Sequence, residues 1–68
     1  MKKSLGEKIK ELRIQQMYSQ SEIAKELGVS RAIISYIESD EKMPSLPLLK
    51  RLAKLFEVSL DYLVNEEN

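Results

Sequence analysis

The stretch SQSEIAKELGVS, residues 19–30, leaves the chain little choice of architecture. Ser19-x-x-Glu22 is a capping box, in which the serine hydroxyl accepts from the third helical amide and the glutamate reaches back to the serine N–H. Tyr18, one residue before the cap, is placed to staple onto Ile23, and Ile23, Ala24 and Leu27 recur at helical spacing. Gly28 supplies a left-handed stop, and only Gly28 and Val29 separate this helix from Ser30, which caps the next. Val29 in turn is placed to staple onto Ile34. Two short helices joined by so tight a turn cannot lie antiparallel. They must cross steeply, and Ala24 is the small residue that lets their backbones approach.

Residues 29–39, VSRAIISYIES, have two unlike faces. At about 100° per residue, Ile33, Ile34 and Ile37 gather on one side and Arg31, Ala32, Ser35, Tyr36 and Ser39 on the other. The first side is an ordinary core stripe. The second lacks the Lys and Glu that crowd most solvated helix faces, and offers short hydroxyls, a methyl, one arginine and one tyrosine. Such a face suits close contact with a polar, contoured surface such as the edges of base pairs. It also fits a lightly charged solvent face, and this helix alone does not separate the two.

The rest of the chain reads as helices. Ser4-x-x-Glu7 opens the first with another capping box, and Leu5, Ile9 and Leu12 face inward along a helix running to about Gln16. Arg13 sits at the margin of that stripe, while Lys2, Lys3, Lys8 and Lys10 are expected to solvate the helix. After Ser39 comes a break, residues 40–45, in which Pro44 blocks continuation. Ser45 caps the fourth helix with Pro47 in its first turn, where a missing N–H matters little. Leu49, Leu52, Ala53 and Phe56 form its inward stripe, widened by Leu48 and Leu55, with Lys50, Arg51 and Lys54 outside. Val58 and Ser59 lead into a short last helix carrying Leu60, Leu63 and Val64, and the acidic end, 65–68, is expected to fray. Without repeats or strand signals, the pattern predicts an all-α, compact five-helix fold. It is one domain over 1–68 with its core over about 4–64.

Composition narrows the chemistry. A chain of 68 residues buries only about 60% of the surface its unfolded form exposes, so stability is marginal without staples or a partner. There is no cysteine and no histidine, hence no disulfide, no thiolate metal site and no imidazole base. No glycine-rich phosphate loop is present and the carboxylates fall mostly at caps or in solvent; no enzyme, metal or other cofactor is expected. The lack of a signal peptide or long apolar run points to a cytoplasmic protein with no membrane partner. The formal charge is zero overall but uneven. Residues 1–54 hold all eleven bases against seven acids, net +4, and residues 55–68 hold four acids alone, net −4. A positive body with an acidic tail can still meet phosphate on one face.

The run SQSEIAKELGVSRAIISYIES, with LGEKIKELR before it and PSLPLLKRLAKLFEVSLDYL after it, resembles the phage-repressor/Cro-like (XRE) helix-turn-helix family of bacterial DNA-binding proteins. The likeness covers about residues 4–64, and each fragment falls in the order and spacing of that family. It implies a lambda-repressor-like domain whose second and third helices form the helix-turn-helix, the third entering the major groove of double-stranded DNA. The base-reading positions would be Arg31, Ala32, Ser35 and Tyr36. Arg31 suits a bidentate contact to guanine O6 and N7, worth roughly 1–3 kcal/mol of discrimination, and Ala32 suits a thymine methyl. Tyr36 packs on a methyl, hydrogen-bonds through its hydroxyl, or lies along the duplex backbone without specificity. The phosphate contacts would be Ser19 and Gln20 at the start of the second helix, joined by Ser30, Ser39 and Lys42. For each serine, helix capping is the competing role and does not exclude the other. The family also ties the positions of Arg13 and Glu38 together, which implies a partly buried ion pair orienting the reading helix. Arg13 could reach a phosphate as well.

The chain departs from the family pattern in two places. Its members often carry Asn-Gly and then basic residues after the reading helix; here stand Ser39, Asp40, Glu41 and Lys42, and two carboxylates there should weaken affinity. Asp40 can adopt the left-handed conformation, though less comfortably than Gly. Position 57, commonly Gly, is Glu57, so the turn into the last helix is expected to differ slightly. The leading functional expectation is a transcriptional regulator binding a pseudo-palindromic operator as a homodimer, with no small-molecule ligand. Leu46, Leu48, Leu55, Leu60, Tyr62 and Val64 offer more apolar surface than such a core needs, and part of it suits a dimer interface. The alternative is a protein-interaction module or antitoxin that kept the fold, which the neutral charge and acidic loop favour.

Overall fold

The computed structural model describes residues 2–65. It contains α1 (Leu5–Gln15), α2 (Gln20–Leu27), α3 (Arg31–Glu38), α4 (Leu46–Phe56) and α5 (Leu60–Val64), with no strand among the described residues. The expected all-α, five-helix architecture is therefore the observed one. Of the end expected to fray, 65–68, the structure describes only Asn65, which is held rather than frayed: its N–H donates to the Asp61 carbonyl at 2.8 Å and its own carbonyl accepts from Lys8, while 66–68 lie outside the described residues.

All five helices start in the same way. Ser4, Ser19, Ser30, Ser45 and Ser59 have extended backbone, and each hydroxyl accepts from the third helical amide. In α1 and α2 the box is closed by Glu7 and Glu22, which accept the Ser4 and Ser19 N–H groups at 2.9 and 2.8 Å. One such cap contributes about 1 kcal/mol, a large share for a domain this small.

The four interhelical turns also share one device. A left-handed residue follows each helix (Met17, Gly28, Asp40 and Glu57), and the next N–H returns to the carbonyl five residues back: Tyr18 to Arg13, Val29 to Ala24, Glu41 to Tyr36, Val58 to Ala53. Only one of the four is glycine. Glu57, where the family pattern predicts a departure, has φ 58° against 69° for Gly28 and closes the same bond, so the turn into α5 does not differ in kind.

The core follows the stripes that the sequence predicts, except that Leu5 and Ile33 are only half-buried at its edge. Ile9, Leu12, Ile23, Ala24, Leu27, Ile34, Ile37, Leu49, Leu52, Ala53, Phe56 and Leu63 are buried, and the Tyr18 ring meets Phe56 edge-on at 6.3 Å. Within it α3 packs on α2 and α1, while α4 backs α2, and α5 rests on α1 and α4. The end of α3 approaches the start of α1 so closely that a Cβ on Gly6 would stand 2.5 Å from the Ile37 carbonyl oxygen and 2.6 Å from that of Glu38. Only glycine fits there.

Lys8 corrects an expectation. Its sequence context predicts a solvated lysine, but it is 2% exposed, and its Nζ donates to the carbonyls of Tyr62 and Asn65. It also lies 5.8 Å from the Tyr62 ring centroid. The reason is tertiary: α5 ends against α1, and its last carbonyls need a donor that its own short helix cannot supply.

Candidate nucleic-acid interface

The inner end of α3 is fixed by charge. Arg13 on α1 donates to Glu38 through Nε at 2.6 Å and through a terminal nitrogen at 3.1 Å, and its third nitrogen donates to the Tyr18 carbonyl at 2.9 Å. Both side chains are largely removed from solvent, at 13% and 4% exposure. Gln20, the first residue of α2, adds a third donor to Glu38 from Nε2 at 3.1 Å. One carboxylate thus locks α1, α2 and α3 together. Sequence alone points Gln20 to a phosphate and gives no hint of Glu38; the only signal is its place at the start of the helix that crosses α3. Breaking a buried pair of this kind leaves an uncompensated charge and costs about 3–5 kcal/mol.

The outer face of α3 is different. Arg31, Ala32, Ser35 and Tyr36 are all exposed, and their side chains make no hydrogen bond or ion pair among the described residues. Tyr36 is 44% exposed. The candidate phosphate contacts sit around this face. Ser19 and Ser30 are exposed caps whose oxygens accept from Glu22 and Ile33, leaving each hydroxyl proton free to donate. Lys42 is exposed in the loop after α3. Ser39 is already engaged: its hydroxyl meets the Glu41 carboxylate at 2.8 Å and the Tyr36 carbonyl at 3.2 Å.

The loop carboxylates are not loose. Asp40, left-handed at φ 64°, accepts the Gly6 N–H through Oδ1 at 3.0 Å and so pins the loop to the first turn of α1. Glu41 is turned onto Ser39. Among the residues considered for a dimer face, Leu48, Leu55, Leu60 and Tyr62 are half-buried against their own core, whereas Leu46 and Val64 are 54% and 48% exposed. Among the described residues no group of three or more acids is arranged to hold a metal ion, and no helix is long and apolar enough to cross a membrane.

A helix-turn-helix family profile matches residues 9–63, spanning the network and the face just described. The chain belongs to the phage-repressor/Cro-like (XRE) helix-turn-helix family. This helix-turn-helix chain is 36% identical over 64 residues to the HTH-type transcriptional regulator ImmR of Bacillus subtilis (strain 168), covering 94% of the chain and 50% of ImmR. It thus spans about half the length of that relative. Among solved structures, the P22 c2 repressor in complex with a synthetic operator superposes with a TM-score of 0.88 at 33% identity, covering 94% of this chain and 97% of that one. SinR, the master regulator for biofilm formation, in complex with DNA, superposes with a TM-score of 0.82 at 32% identity, over 90% and 98% of the two chains. The family and these neighbours are those of non-enzymatic DNA-binding regulators.

Proposed function

We propose that this helix-turn-helix protein is a sequence-specific regulator of transcription that binds double-stranded DNA by laying α3 in the major groove. The observation that carries this reading is the exposed outer face of α3, whose side chains are uncommitted while its inner end is held by Arg13, Glu38 and Gln20. The DNA complexes formed by the P22 c2 repressor and SinR support it. Arg31 takes a guanine edge, Ala32 a thymine methyl, and Ser35 and Tyr36 neighbouring base edges. Ser19, Gln20, Ser30, Ser39 and Lys42 take backbone phosphates, with Arg13 and Glu38 orienting the helix that reads. Ser39 must first leave Glu41.

The same reading makes the active species a cytoplasmic homodimer on a pseudo-palindromic operator. One module of this size covers too little DNA for regulator-grade affinity alone. Leu46 and Val64 are exposed and Leu48, Leu55, Leu60 and Tyr62 half-buried, and this apolar surface is what the second copy would cover. Two reading helices related by a two-fold would then sit about 34–36 Å apart, one turn of duplex. Selection of bound duplexes from a random pool tests all of this at once. The expected result is a short motif, repeated in inverted orientation at one-turn spacing. Recovery of no motif, with binding that ignores salt, would contradict it.

A further inference from the structure

A groove of about 170 Å³ opens between α1 and the last turn of α3, lined by Lys10, Gln20, Ser35, Glu38 and Ser39. Most of that lining is already occupied. Glu38 accepts from Arg13 and Gln20, so its charge is compensated from inside the protein. The Ser39 hydroxyl is turned to Glu41. Lys10 and Ser35 are the exceptions: both are exposed, and neither the ammonium nor the hydroxyl has a hydrogen bond or ion pair among the described residues. Glu7 holds the Ser4 N–H, Glu11 pairs with Lys3 at 2.7 Å, and Asp40 holds the Gly6 N–H. The groove is therefore lined by one lysine with no ion pair among the described residues, together with the uncommitted Ser35 hydroxyl.

We infer that Lys10 is a DNA-binding residue, contacting a backbone phosphate that seats in this groove between α1, the first turn of α2 and the last turn of α3. The inference rests on the duplex-binding reading above and extends it, because it brings α1 into the interface. A charge on α1 also explains how a chain of zero net charge, with carboxylates in the loop after α3, can hold a polyanion: its local field, not its total, faces the phosphates.

The test compares the salt dependence of binding by the wild-type chain, Lys10→Ala, Lys10→Arg and Lys54→Ala. The probes are a duplex of about 30 base pairs of mixed sequence, long enough for the two half-sites expected about one turn apart, and a duplex recovered by selection. Lys54 is the control, an exposed lysine lining a separate groove between α2 and α4. Every phosphate that the protein neutralises steepens the fall of log affinity with log salt by about 0.9. Lys10→Ala should flatten that slope by about one phosphate's worth on both duplexes, weaken both about three- to tenfold at moderate salt, and melt like wild type, while Lys10→Arg keeps the slope. An unchanged slope in Lys10→Ala, or an equal flattening in Lys54→Ala, overturns the assignment while leaving the duplex-binding reading intact. If the wild-type chain itself shows no salt-dependent binding, that reading fails first and takes this one with it.

Discussion

At the inner end of α3, Glu38 accepts three hydrogen bonds from side chains of two other helices; along the outer face of the same helix, Arg31, Ser35 and Tyr36 donate to nothing among the described residues. The first region is buried and saturated, the second exposed and uncommitted. A helix built this way is rigid where it joins the domain and chemically available where it leaves it. On the proposed reading, binding then needs little ordering of the backbone, and the side chains proposed to discriminate make no hydrogen bond or ion pair within the described fold. The two regions should accordingly answer to different measurements, stability for one and affinity for the other.

The largest effect should come from the inner end. Glu38→Ala strips Arg13 and Gln20 of a shared partner and should lower unfolding free energy by about 3–5 kcal/mol in a denaturant titration. A loss below about 1 kcal/mol, the range of an exposed pair, would mean that the network is not what holds α3. Next comes the outer face. Arg31→Ala should leave the denaturation midpoint where it is, cost about 1–3 kcal/mol on a selected duplex, and relax preference at one base position. Equal weakening on selected and scrambled duplexes would reduce Arg31 to a phosphate contact.

Smaller changes outside both regions sharpen the contrast. Glu57 holds a left-handed conformation at φ 58° that glycine adopts without strain, so Glu57→Gly should stabilise the fold by about 0.5–1 kcal/mol without altering duplex affinity. The smallest effect concerns pH. The Ser4 backbone N–H, and then its hydroxyl, hold the Glu7 carboxyl below the ordinary carboxylate range. Its contribution is therefore fully present above that range and fades as pH falls through the depressed folded value. Glu7→Gln should make the melting temperature less sensitive to pH as it falls through and below the ordinary carboxylate range, with the α3 network untouched.

What is legible in the sequence is what is local. Five serine caps, two of them boxed by Glu7 and Glu22, and the isoleucine and leucine stripes fix the helices and the core, because capping and periodicity act within a few residues. The outer face of α3 is legible for the same reason. Lys8 is not, because the carbonyls it caps lie 54 and 57 residues away, and Met17 gives no sign of a left-handed turn. The Gln20 contact to Glu38 and the Asp40 clasp on Gly6 depend on how helices cross, which no spacing within one helix encodes.

Dimethyl sulfate footprinting tests the central claim most directly, since it methylates guanine N7 in the major groove and adenine N3 in the minor groove. With α3 in the major groove, guanine N7 positions in a selected duplex should be protected, and Arg31→Ala should restore reactivity at one of them. Protection confined to adenine N3, or none at saturating protein, would contradict a reading helix in the major groove.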